Sequence, residues 1–272
     1  MKIHEILIER ISIAQHTPAL SDAVHQAIIN IFNRKPAKVP QKMDMEFLYK
    51  SNTEFVNAII PILTKFAKDK NDNDVQVKFG SLQKGTGKFD EETNTITITS
   101  KLLSSSIKLL FNHYTGESPS NTDTLIQHIV NRIVTIFSHE LVHASQNVKG
   151  HKYEYKRGYI EPDKLKFFTA LVKDQFNSPE EKQRTMDVYK SQPDEISAYA
   201  TETASDLIYN IYKLPIDEQK VAIDVFLKTV SNHTYSEFKG RIEPEYKKVY
   251  RRYLKLIYQE LADYKDKLHR IA

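Results

Sequence analysis

The chain has 272 residues, of which 40% are apolar and 27% charged, which fits a folded chain with a substantial core and excludes a disordered one. It has no cysteine, so disulfides and thiolate metal sites are excluded, and any metal site must be built from histidine and carboxylates. Net charge is +4 and uneven: residues 239–272 carry ten Lys/Arg against five Asp/Glu. Such a run reads first as a solvated helix face, with a nucleic-acid or acidic-partner surface as the alternative.

The opening, MKIHEILIER, has a short apolar patch broken by Glu5, Glu9 and Arg10, without the apolar stretch and cleavage site of a signal peptide. No apolar run nears the ~18–20 residues of a membrane span. A cytoplasmic address, with no membrane partner, is expected. Residues 17–34 predict a helix, with Thr17 as N-cap and Pro18 at its first position. A second helix is predicted from Ser51 to about Lys70, kinked at Pro61, before a break at 71–74. Alternation in VQVKF (75–79) and KFDEETNTITITS (88–100), around a glycine-rich 80–87, predicts a small antiparallel sheet. Helical pattern dominates from there to the end. Helices are predicted over about 121–148, 179–190, 193–213, 216–230 and from about Pro244 onward. The second of these follows a capping box, Ser178-Pro179-Glu180-Glu181, and in the last a stripe from Tyr246 to Leu268 reads as a packing face. The fold class is α+β, mainly helical, divided into an N-terminal helical region (1–70), a core (71–213) and a C-terminal helical region (214–272) that form one compact unit.

Two features carry chemistry. Residues 139–143 read HELVH on the 121–148 helix. His139 and His143 lie one turn apart on one face, where both imidazoles can reach one ion. Glu140 is offset between them, placed to touch a water at that ion without binding it. The apolar lead-in (Ile129, Val130, Ile133, Val134, Ile136, Phe137) implies that the helix is buried, and two buried histidines and a glutamate need a partner. Zinc needs a third protein ligand as well. The elongated motif with a third histidine is absent, because Gln146 and Lys149 stand where it needs Gly and His. A carboxylate from a later helix remains. In QPDEISAYATETASD (192–206), Glu195, Tyr199, Glu202 and Asp206 share one helix face, and a cation opposite would relieve their repulsion. The spacing leaves Glu195 and Glu202 both open as the third ligand.

HELVHASQ followed by a helix bearing E-x-x-A-Y-A resembles the zincin metallopeptidases, in the branch whose third ligand is a glutamate, over about residues 75–210. The resemblance implies a zincin-like core with a small sheet, an active-site helix and a third-ligand helix, flanked by the helical extensions. It implies one Zn²⁺ held by His139, His143 and Glu195. Compact members carry Ala three residues after the ligand glutamate, as Ala198 stands here. Glu202 or Asp206 would then support the histidines. The resemblance further implies an edge strand that holds extended substrate, for which TITIT (95–99) is the candidate. The function expected is zinc-dependent hydrolysis of a protein or peptide substrate, with Glu140 as general base and an oxyanion donor among His151, Tyr153, Tyr155, Tyr159 and Tyr199. The alternative is a zincin-fold structural or assembly protein. MKIHEIL resembles the openings of tailed-phage proteins, which would put the chain in a virion.

Overall fold

The computed structural model describes residues 12–34, 40–70, 74–83, 85–117, 121–148, 178–229, 235, 238 and 244–271. Eight α-helices occur among them, with one small sheet. The helices are α1 (Thr17–Phe32), α2 (Met45–Lys70), α3 (Ser100–Thr115), α4 (Thr122–Val148), α5 (Pro179–Lys190), α6 (Pro193–Ile211), α7 (Ile216–Thr229) and α8 (Pro244–Ile271). The strands are β1 (Gln76–Gly80), β2 (Gly87–Asp90) and β3 (Thr95–Thr99). Among the described residues no helix is long and apolar enough to cross a membrane.

Local chemistry explains most boundaries. The Ser178 hydroxyl accepts the Glu181 N–H at 3.2 Å, the bond expected of a capping box and worth about 1 kcal/mol. At α1 the cap falls on His16, so Thr17 lies inside the helix rather than capping it. Helix α2 starts six residues ahead of Ser51, at Met45, where the Asp44 carboxylate accepts the Phe47 N–H at 2.8 Å. Pro61 is accommodated inside it. Helix α3 follows β3 directly, capped by Thr99, and buries Leu103, Ile107 and Leu110 along one face.

The sheet differs from expectation. Its order is β1-β3-β2, with β2 antiparallel and β1 parallel to β3, so it is mixed and not antiparallel. A tight turn joins β2 to β3: Asp90 accepts bonds from Thr93 N–H and Oγ1, and Asn94 takes a left-handed φ of 49°. Alternation reports which residues face the core but carries no strand direction, so β1 was free to join the other side of β3. TITIT is therefore the central strand, with all five residues buried, and cannot be the edge that receives an extended ligand. β2 is the edge that lies along α4.

Two apolar clusters fill the interior. The first joins α1–α4 with the sheet, around Phe55, Ile96, Ile98, Val134 and Phe137. The second joins α6, α7 and α8, around Ile208, Tyr235, Tyr253 and Leu261. Helix α6 belongs to both: Ala198 packs in the first, while Ile196, Ala200 and Ala204 pack in the second. Because Ala198 is small and fully buried, α6 can lie close along α4. Pairs at Gln127–Tyr209, Asn131–Asp206 and His139–Glu202 run in opposite directions along the two chains, so the two helices are antiparallel.

Candidate metal centre

Residues 133–142 of α4 are all buried, and this stretch carries HELVH up to His143, which is half-buried just beyond it. The i, i+4 spacing brings His139 Nε2 and His143 Nε2 to 3.3 Å. From α6, Glu195 turns its carboxylate toward them. Its Oε2 lies 3.8 Å from His139 Nε2 and its Oε1 lies 3.7 Å from His143 Nε2. The ligand atoms of these three residues all fall within 4.8 Å of one another, a group that could hold a metal ion. Of the two candidate acids, Glu195 is the one that converges with both imidazoles.

Glu202 has a different place. One of its oxygens lies 3.0 Å from His139 Nδ1, on the ring edge away from Glu195. An Nδ1–H that donates to Glu202 leaves the Nε2 lone pair free to point at the convergence. The Gln146 side chain hydrogen-bonds to His143, and the ring of Tyr199 stands edge-on to His139 at 4.7 Å between centroids. Asp206 supports neither histidine. It accepts the Asn131 amide at 2.7 Å, two turns further along α4.

Sequence reasoning missed two residues. The Tyr189 hydroxyl, from α5, hydrogen-bonds to Glu195, and no sequence signal marks it. Gly87 of β2 is pressed against the motif: a Cβ there would lie 2.5 Å from Glu140 Oε1 and 2.7 Å from Ile136 Cγ2. A glycine inside a strand often marks such a close approach, and that signal was available. The Phe89 N–H of the same strand donates to Glu140. Strand β2 thus holds the Glu140 carboxylate, which also feels the charge of His139. Of the expected oxyanion donors, Tyr199 is described and packs on His139. His151, Tyr153, Tyr155 and Tyr159 lie outside the described residues, as does MKIHEIL.

Electrostatics explain what the cluster lacks. Glu195 is only 6% exposed and Glu140 only 7%. Burial pushes both carboxyls up to about 7, against the opposing pull of the Tyr189 bond and His139 on the former, and of His139 and the Phe89 N–H on the latter. Burial, with the charge of His139, drives His143 down to about 3. Burial works the same way on His139, but the Glu202 bond and the neighbouring carboxylates outweigh it and raise its pKa. Among the described residues Glu195 Oε2 is buried with no hydrogen-bond partner. Two acids forced toward neutrality, an orphaned oxygen and two imidazole nitrogens facing each other describe a pocket short of one positive charge. A bound cation would restore the carboxylates and use both imidazoles as neutral donors. The residues present fit a metal ion, which could serve as the positive partner that Glu195 lacks.

No family model matches the chain, and neither does any curated protein or solved structure.

Proposed function

We propose that this chain is a zinc-dependent metallopeptidase whose metal is held by His139, His143 and Glu195. The observation that carries the reading is the convergence of those three side chains beside a separate buried carboxylate, Glu140. The donor set of two imidazoles and one carboxylate, with no thiolate, is one that zinc uses in hydrolytic sites. Tetrahedral zinc with His bonds of ~2.0–2.1 Å needs its two nitrogens about 3.3 Å apart. The observed 3.3 Å between the imidazole nitrogens agrees.

When bound, the zinc ion supplies Lewis acidity, acidifying water and polarising a carbonyl. The chain's own residues do the rest. Glu140, which the Phe89 N–H and the Cα of Gly87 hold in place, takes the proton of the attacking water and passes it to the leaving amine. Glu202 keeps His139 in the tautomer that offers Nε2. Tyr189 holds Glu195 in orientation. Since β3 is central, the outer edge of β2 takes over the substrate-holding role first expected of TITIT. The Thr99 N–H bonds to the Thr86 carbonyl, which makes 86 and 88 the inward-bonded positions and turns the backbone groups of Gly87 and Phe89 outward, where the Phe89 N–H is taken by Glu140 and the others would meet the substrate. An extended peptide laid along that edge passes the Glu140 carboxylate.

Elemental analysis of zinc per chain in wild type and Glu195→Ala, purified side by side, tests the metal. Close to one zinc in wild type and little in the variant is the expected result. Retention of zinc in Glu195→Ala would reassign the third ligand, and a wild type that takes up none in excess zinc would overturn the reading. Cleavage of unfolded protein substrates by the zinc-loaded chain, lost in Glu140→Gln with zinc retained, tests the reaction. Full zinc with no cleavage of any substrate would favour a structural or assembly role.

A further inference from the structure

The two faces of α8 are unlike. Inward, Tyr253, Ile257 and Leu261 are fully buried in the second apolar cluster. Outward, Lys247, Lys248, Arg251, Arg252 and Lys255 are all exposed. They form two adjacent rows at i, i+4 spacing, with successive members of a row about 6 Å apart along the axis. From Tyr246 to Gln259 the helix has no acidic residue. Among the described residues none of the five cations has an ion-pair partner, whereas Lys265, further along the same helix, meets Asp224 at 2.9 Å. The charge is thus balanced on one half of α8 and left unbalanced on the other. Tyr258 continues the unbalanced stripe, three residues beyond Lys255. It is 45% exposed, and its hydroxyl donates to the Leu227 carbonyl at 2.9 Å, so the ring is held in place at the surface.

We propose that this stripe binds a single strand of nucleic acid, with phosphates on the five cations and a base against the ring of Tyr258. A row of cations beside an immobilised aromatic is the combination that sequence-tolerant single-strand binding uses. An anionic membrane surface fits less well, because the apolar face of α8 is already packed in the core and leaves nothing to enter a bilayer. An acidic protein segment would answer the charge but gives the fixed ring no flat partner. The stripe uses no residue of the metal centre, so the two sites stand or fall separately.

The test is binding of a fluorescein-labelled oligothymidylate to the full chain, followed by anisotropy between about 50 and 200 mM salt. If five phosphate contacts form, log K falls against log salt with a slope of about −3.5. The triple variant Lys248→Gln/Arg251→Gln/Lys255→Gln should make the slope shallower by about 2 and weaken binding at least about tenfold at low salt. Tyr258→Ala should weaken binding roughly five- to a hundredfold at an unchanged slope. Zinc content and the far-ultraviolet spectrum of each variant should match wild type, which shows that the losses are not unfolding. No binding at low salt, or a triple variant that binds as tightly as wild type, would overturn the proposal. So would phosphatidylserine vesicles that bind the chain more tightly than the oligonucleotide does; the stripe would then be a membrane-facing surface.

Discussion

The α4–α6 seam has two ends, built from similar residues and differently completed. At one end Asn131 donates to Asp206 at 2.7 Å, and Tyr209 donates to the Gln127 carbonyl at 2.6 Å. Each acceptor there meets its donor at a place open to water, although Asn131 Oδ1 itself is buried without a partner among the described residues. At the other end His139, His143 and Glu195 converge, backed by Glu202, with a surplus of acceptors, and among the described residues Glu195 Oε2 has no donor. The single face of Glu195, Tyr199, Glu202 and Asp206, four, three and four residues apart, looks uniform in the sequence. Across the seam it divides into a candidate metal-ligand position, a ring against His139, a support for His139 and a tie to Asn131. What separates the ends is the partner each acid meets on α4: an amide for Asp206, imidazoles for the rest.

The largest effect should come from supplying or denying a cation at the incomplete end. Zinc at a free concentration a thousandfold above its dissociation constant should stabilise wild type by about 4 kcal/mol, read as a rise in Tm. Glu195→Gln should lose that rise. Without metal, the same variant should melt at or above wild type, because it removes a buried acid whose pKa burial already raises and one of whose oxygens meets no donor among the described residues. A metal-free variant that melts well below wild type would show that Glu195 is a satisfied structural residue.

Glu202→Gln should come next. The amide oxygen can still accept from His139 Nδ1, but the charge is gone, so zinc affinity should fall about 10–100-fold with stoichiometry kept. Gly87→Ala should retain zinc and lose about 1–3 kcal/mol of stability, since the added methyl collides with Glu140 and Ile136. Cleavage should fall further than stability explains, because the displaced group is the proposed base. At the completed end, Asp206→Ala should lose about 1 kcal/mol in chemical denaturation and leave zinc affinity unchanged. An Asp206 variant with weakened zinc binding would erase the distinction between the ends.

The parts of this arrangement that were legible in the sequence are those fixed within one element. HELVH sets its own geometry through helical spacing, and Ala198 beside Glu195 signalled a close helix contact. Whether Glu202 or Asp206 would support a histidine depended on how α6 slides along α4, which local sequence does not encode. The direction of β1 was hidden for the same reason. Tyr189 reaches Glu195 from a third helix, so only the assembled fold reveals it. The capping box at Ser178 and the packing stripe of α8 were legible because each is local.

The smallest effect serves to keep acid sensitivity from being assigned wholly to the seam. Lowering the pH should protonate the proposed metal ligands and weaken metal binding. A second contribution comes from His16, far along the chain from the motif. Burial, then the charges of Lys70 on α2 and Lys267 on α8, lower its pKa from 6.5 to about 4. Its ring also packs edge-on against Phe66 at 6.0 Å. The folded chain therefore resists a proton that the unfolded chain accepts. This contribution is fully present above about pH 6.5 and is lost as the pH falls toward 4. His16→Gln, measured without metal, should show a shallower decline of stability between those two values than wild type does. An unchanged slope would mean that the titrating groups of the seam account for the whole acid response, and the comparison between its ends would then have to carry that response alone.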